Sequence, residues 1–169
     1  SQLELQAQSA DDKAPEGRVV YGSDLDNNLW LLALPDGTHR PLTNLGTKEF
    51  TSSPAWSPDA RQIAFSYYRL PDDAAIPVPD GTDLYVMNSD GSGLRSIWAH
   101  EESGTALQYP AWSSDGTSIY VSRAAPGGGR TIDRVIVASG EHSRVVSNAA
   151  FPALSSDGRW LAYIHYPVP

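Results

Sequence analysis

Several side chains in this sequence are of types and spacings that do chemistry. Asp24-Leu-Asp26-Asn-Asn28 sets oxygen donors at alternating positions, an arrangement that suits a hard cation such as calcium. Asp24, Asp26 and Asn28 are therefore candidate ligands, and Ca2+ is the one cofactor the sequence leaves open. A complete calcium loop also needs a glycine and a distal glutamate, and both are missing at the required spacing. Asp and Asn are also ordinary turn formers. Asp72-Asp73, and Glu101-Glu102 beside His100, bring carboxylates together without the fixed geometry that acid–base work requires. His39, His100, His142 and His165 are scattered, with no metal-binding spacing among them. Ser92 lies in Asp-Gly-Ser-Gly, a turn sequence, and no Gly-x-Ser-x-Gly elbow occurs. With no cysteine, disulfides, thiolate metal sites and cysteine nucleophiles are excluded. The expectation is a chain that is not an enzyme, with no catalytic residue, while a hydrolase domain in a longer parent chain stays open.

Binding residues are easier to nominate. Tyr67-Tyr-Arg-Leu-Pro-Asp-Asp-Ala-Ala-Ile-Pro-Val-Pro-Asp-Gly81 is a long insertion between two strand-like segments. Loops on a rigid scaffold carry recognition, and aromatic residues and arginine are enriched at binding hot spots. Tyr67, Tyr68, Arg69, Leu70, Asp72, Asp73, Ile76 and Val78 are the candidate interaction residues. The partner is expected to be another protein or a membrane-protein complex. It is not expected to be nucleic acid, because 20 acidic against 12 basic side chains give a net charge of -8 and no basic stripe is present. The longest apolar run, Leu29 to Leu34, is strand-sized, far short of the ~18 residues of a membrane span.

The elements that must hold these residues are read from an internal repeat. Pro54-Ala-Trp-Ser-Pro-Asp, Pro110-Ala-Trp-Ser-Ser-Asp and Pro152-Ala-Leu-Ser-Ser-Asp open three copies, 56 and 42 residues apart. That is the range of a propeller blade, ~40–50 residues. In each copy a Ser-x-Asp turn leads into a β-branched or aromatic strand such as Ile63-Ala-Phe65 or Ile119-Tyr-Val121. A second element recurs between these copies and ahead of the first (Leu29-Trp-Leu-Leu-Ala-Leu-Pro-Asp-Gly37, Leu84-Tyr-Val-Met-Asn-Ser-Asp-Gly91 and Arg134-Val-Ile-Val-Ala-Ser-Gly140), each followed by a short apolar strand, so that a unit has four strands. No segment sustains a helical period, and 14 Gly and 13 Pro are spread through the chain. The predicted fold is all-β: blades of four antiparallel strands, about three present, with both blade faces apolar so that neighbours must stack. Trp56, Asp59, Trp112, Asp115, Gly116, Asp157 and Gly158 are its structural repeat residues. Ala60 stands where the other turns have Gly, and Leu154 where the others have Trp. The expected layout is a polar arm over 1–17 with little structure of its own, blades near 18–43, 54–98, 110–147 and 151–166, and a tail over 167–169. The opening residue is not Met and no signal peptide is visible, so the chain is expected to start after a processing or cloning cut.

The Pro-Ala-Trp-Ser-Pro-Asp segment and Leu84-Tyr-Val-Met-Asn-Ser-Asp-Gly-Ser-Gly93 resemble the repeat of TolB-like propellers. The same repeat occurs in the propeller domains of tricorn-type and dipeptidyl-peptidase-type proteases. The resemblance covers about nine-tenths of the chain and specifies architecture better than function. It implies a non-catalytic interaction or scaffolding propeller outside the cytoplasm, periplasmic or extracellular. Its alternatives are the substrate-gating propeller of a serine peptidase and a carbohydrate-binding propeller. Three-odd blades do not close a ring of roughly four to eight, so the propeller is incomplete or open: further blades are expected from a longer chain or another subunit, with an open arc of blades as the alternative.

Overall fold

A computed structural model of the chain describes residues 16–72 and 80–167. The candidate residues Asp73, Ile76 and Val78, most of the 1–17 arm and the last two residues of the tail lie outside the described residues. The described residues form thirteen strands and no helix. The first sheet holds β1 (Gly17–Gly22), β2 (Leu29–Leu34) and β3 (His39–Pro41). The second holds β4 (Glu49–Trp56), β5 (Gln62–Arg69), β6 (Asp83–Asn88) and β7 (Arg95–Trp98). The third holds β8 (Ala106–Trp112), β9 (Ser118–Ala124), β10 (Arg130–Ile136) and β11 (His142–Ser147). The last is a pair, β12 (Ala149–Leu154) and β13 (Leu161–His165). Each sheet is an antiparallel meander in chain order, which is the build of a propeller blade. The sheets are open and form no closed ring.

The period-2 alternation of each strand decides the stacking. In the second blade Ile63, Phe65 and Met87 turn toward the first sheet and join Leu29, Leu31 and Leu42. Ala64, Leu84 and Val86 turn the other way and meet Leu107, Trp112, Ile119, Val121 and Val135 of the third blade. A blade is thus apolar on both faces and gains its core from its neighbours.

The turns repeat atom for atom. Ser57 Oγ donates to Asp59 Oδ1 (2.7 Å), which also accepts Arg61 N–H (3.1 Å), while Gln62 N–H donates to Ser57 Oγ (2.9 Å). Ser113–Asp115–Thr117 and Ser155–Asp157–Arg159 reproduce this pattern. The Ser113 hydroxyl, with the Thr117 amide, holds the Asp115 carboxyl down at about 2. The turn then needs a left-handed residue: Gly116 and Gly158 have φ of 70° and 71°, and Ala60 is forced to 55°. Ala60 therefore carries strain that its glycine counterparts do not.

The inner strands share a β-bulge that the sequence does not announce. Register slips between Ser52 and Ala55, Gln108 and Ala111, and Ala150 and Ala153. The residue before each repeat proline, Ser53, Tyr109 or Phe151, has φ of 53° to 59°. Proline cannot donate to the ladder, and the bulge lets a paired strand contain it.

Candidate functional site

Because every sheet is a meander, the β1–β2, β5–β6 and β9–β10 connections and the links between blades share one end of the blades. The repeat turns occupy the other. The loop-bearing end holds a cavity of about 240 Å³ lined by Tyr67, Tyr68, Arg69, Leu70, Asp72 and His100, with Asp80, Gly81 and Asp83 completing it. Five of the nominated interaction residues, Tyr67, Tyr68, Arg69, Leu70 and Asp72, thus line one concavity.

Register explains how. Tyr67 pairs with Asp83 across β5 and β6, and Leu84 pairs with Trp98 across β6 and β7, so Asp83 and His100 meet where the strands end. His100 Nδ1 lies 2.6 Å from Asp83 Oδ1, which also accepts the His100 backbone N–H at 2.8 Å. His100 Nε2 lies 3.3 Å from Asp80 Oδ2. The Asp83 hydrogen bond is the main cause that raises the His100 pKa, and Asp80 adds to it. The imidazole lies flat on Gly81, where a Cβ would come within 2.3 Å of the ring. Thr82 N–H donates to the Thr105 carbonyl (2.9 Å) and Leu107 N–H to the Thr82 carbonyl (3.2 Å), so backbone bonds fix the returning end of the insertion.

The outgoing end is held by charge. Asp72 takes Lys48 Nζ at 3.2 Å and Arg69 Nη2 at 3.3 Å, both exposed pairs. Tyr67 Oη donates to Glu49 Oε1 at 2.5 Å, and Gly46 N–H donates to Glu49 Oε2 at 2.7 Å. The tyrosine bond is the largest cause lowering the Glu49 carboxyl. Burial, then Glu49, pushes the Tyr67 hydroxyl well above its ordinary range. Phe50 and Tyr68 stack with ring centroids 4.8 Å apart. The arrangement is an aromatic wall facing an acidic rim with one protonatable imidazole.

Other nominated residues lie apart from this cavity. Asp26 accepts Trp30 Nε1–H (3.0 Å) and Asn28 N–H (3.2 Å). Buried Asn28 accepts Thr43 Oγ1–H (2.8 Å) and Leu45 N–H (2.9 Å) through Oδ1. These oxygens tie the β1–β2 loop to the link between blades, and Asp24 is exposed. Among the described residues no group of three or more His, Cys, Asp or Glu side chains is placed to hold a metal ion. Glu101 turns to His142 (3.6 Å) rather than His100, and His142 stacks on Trp98 at 4.0 Å. Ser92 closes its turn on Asp90. Sequence reasoning left His100 among four scattered histidines and did not nominate Asp80 or Asp83. The signal that finds them is strand pairing, which puts the start of β6 opposite the residues after β7.

This architecture is that of a partial TolB-like β-propeller. The structure of TolB from Acinetobacter baumannii superposes with a TM-score of 0.67 at 21% identity, over 89% of this chain and 35% of that one. A puromycin-hydrolyzing peptidase of Mycobacterium tuberculosis superposes with a TM-score of 0.60 at 17% identity, over 86% of this chain and 24% of that one. At these identities the likeness is one of fold. In sequence, the chain is 28% identical over 198 positions to YuxL of Bacillus subtilis (strain 168), an uncharacterized peptidase, covering 89% of this chain. The chain spans 28% of the length of that relative. No family model matches the chain. The peptidase relative overturns the expectation that this is not an enzyme. That expectation rested on a search for nucleophile motifs within blades alone, and blades say nothing about the remaining length of a longer protein.

Among the described residues no helix is long and apolar enough to cross a membrane.

Proposed function

We propose that the chain supplies blades to the propeller of a longer serine peptidase, and that its loop-bearing end meets the peptide substrate. The observation that carries this reading is the alignment of 89% of the chain with a protein named a peptidase. The sequence holds no Gly-x-Ser-x-Gly elbow, so the nucleophile is assigned to the remainder of that longer protein. The blades gate and orient, and the aromatic and acidic cavity at Tyr67, Tyr68, Asp83 and His100 is the contact surface. The likeness to TolB-like propellers supports a place outside the cytoplasm and a protein or peptide as the partner.

The test is to express the longer protein and assay peptidyl and aminoacyl amides beside a fluorophosphonate probe. Hydrolysis with covalent labelling supports the reading. A folded longer protein that neither hydrolyses nor labels overturns it. Within an active enzyme, Tyr67→Phe and Arg69→Ala should raise KM with little change in kcat, the mark of a lost binding contact away from the reacting bond.

A further inference from the structure

The third blade has its own cavity at the loop-bearing end, about 220 Å³ in volume, and its chemistry is the reverse of the second blade's. Arg123, Arg130 and Arg144 line it with Thr131, Ser147 and Asn148, and no Asp or Glu does.

Strand register gathers these residues. Thr131 of β10 faces Arg123 of β9 on one side and Ser147 of β11 on the other. Arg144 faces Asp133, which shares a face of β10 with Thr131. Arg130 opens β10 and Asn148 follows β11, so both stand where the strands end. The Arg130 guanidinium lies over the Tyr166 ring, 5.1 Å from its centroid, a contact that attracts and orients a cation.

These three guanidinium groups stand out by what they lack. Every other Lys or Arg among the described residues hydrogen-bonds or ion-pairs with a carbonyl, hydroxyl or carboxylate oxygen. Among the described residues Arg123, Arg130 and Arg144 meet no such acceptor. The neighbouring carboxylates are engaged elsewhere. Asp133 is buried and accepts the Thr131 hydroxyl. Glu101 turns to His142, two residues before Arg144 on β11. Acidic side chains outnumber basic ones 20 to 12 in this chain, yet three cations share one concavity with no internal counter-charge. Like charges held together repel, and a concave wall focuses their field outward on an arriving anion. A planar guanidinium grips two oxygens of a carboxylate or phosphate at once. The Ser147 hydroxyl and the Asn148 amide, also without side-chain partners among the described residues, add neutral donors.

We propose that this cavity is an oxyanion-binding site, taking a carboxylate or phosphate group of a ligand that reaches the loop-bearing end of the blades. Arg123 and Arg144 supply charge from the strands, and Arg130, held on Tyr166, supplies it from the turn. The site belongs to these blades alone and does not depend on a nucleophile elsewhere.

The experiment is a titration of the nitrogen-15-labelled 169-residue chain, read at the arginine Nε–H resonances at constant ionic strength. The probes are inorganic phosphate, a short acetylated peptide with a free terminal carboxylate, and the amide of that peptide. The expected result is a saturable shift of Arg123, Arg130 and Arg144 with phosphate or with the free acid, and none with the amide. Arg61, which pairs with Asp59 in a repeat turn at the other end, should not respond. Tighter binding of phosphate identifies a phosphoryl ligand, and tighter binding of the free acid identifies a peptide carboxylate. Arg144→Gln, on an exposed outer strand, should weaken binding by about ten-fold, and Arg61→Gln should leave it unchanged. No saturable shift with either phosphate or the free acid, shifts that chloride alone reproduces, or unchanged affinity in Arg144→Gln overturns the assignment.

Discussion

The seam between the second and third blades and the outer face of the β12–β13 pair are made from one repeat, and they end in opposite states. At the seam Trp112 is 7% exposed, packs on Ala64, Leu84 and Val86, and donates its indole N–H across the blades. On the terminal pair Trp160 is 71% exposed and Ile164 53%, with Tyr163 also open. Leu154 occupies the place of the seam's tryptophan. The repeat specifies a blade, whereas burial is supplied by the next blade along. Stability in such an array is a sum of units and of seams, so the consequence of a substitution depends on which side of a seam it falls.

The largest expected contrast breaks or keeps that comparison. Trp112→Ala should cost roughly 3–5 kcal/mol in urea unfolding, as deletion of a large core side chain does. Trp160→Ala should stay within ~0.5 kcal/mol, as exposed substitutions do. Equal costs would mean that the two faces are equally covered. Asn28→Ala removes the acceptor of Thr43 and Leu45 from a buried site and should cost roughly 1–3 kcal/mol. Calcium should leave the melting temperature of the wild-type chain unchanged, since Asp26 and Asn28 already accept hydrogen bonds from Trp30, Thr43 and Leu45. Ala60→Gly relieves a left-handed alanine and should raise stability by ~1 kcal/mol, which differential scanning calorimetry would detect.

The smallest effect is a pH dependence. The pKa of His100 is raised in the folded chain, first by its hydrogen bond to Asp83. A raised folded value means that the protonated imidazole stabilises the fold. That contribution is complete below the unfolded value near ~6.5 and is lost as pH rises through the higher folded value. Melting temperature should fall across that window in the wild-type chain and fall less in His100→Gln. A steeper fall in the variant would contradict the assigned geometry.

Much of the fold was legible because turns and strands are local. The three Ser-x-Asp turns, the strand positions and the two-faced blades follow from residue types within a dozen positions of one another. The bulges were not legible, because a proline in a strand admits several solutions and the left-handed Ser53, Tyr109 and Phe151 carry no glycine to mark them. Ala60 stood out only as a departure from Gly, and the structure holds it in the left-handed region that Gly116 and Gly158 take without strain. Of the cavity, the Tyr67–Asp72 wall was visible as an insertion. Its partners Asp80, Asp83 and His100 were not, because they reach the wall only through the pairing of β5, β6 and β7. Asp26 and Asn28 looked like a ligand set because a sequence does not show that Trp30, Thr43 and Leu45 already use their oxygens.

The central claim is that neighbouring blades, and not the repeat itself, supply the core. Amide hydrogen exchange read strand by strand tests it most directly, since protection reports local opening free energy. Strong protection over β5, β6, β9 and β10, with β13 exchanging far faster, is the predicted result. Measured on the 169-residue chain by itself, protection of β13 equal to that of β9 would contradict it, because the β12–β13 pair would then hold its structure with its outer face uncovered.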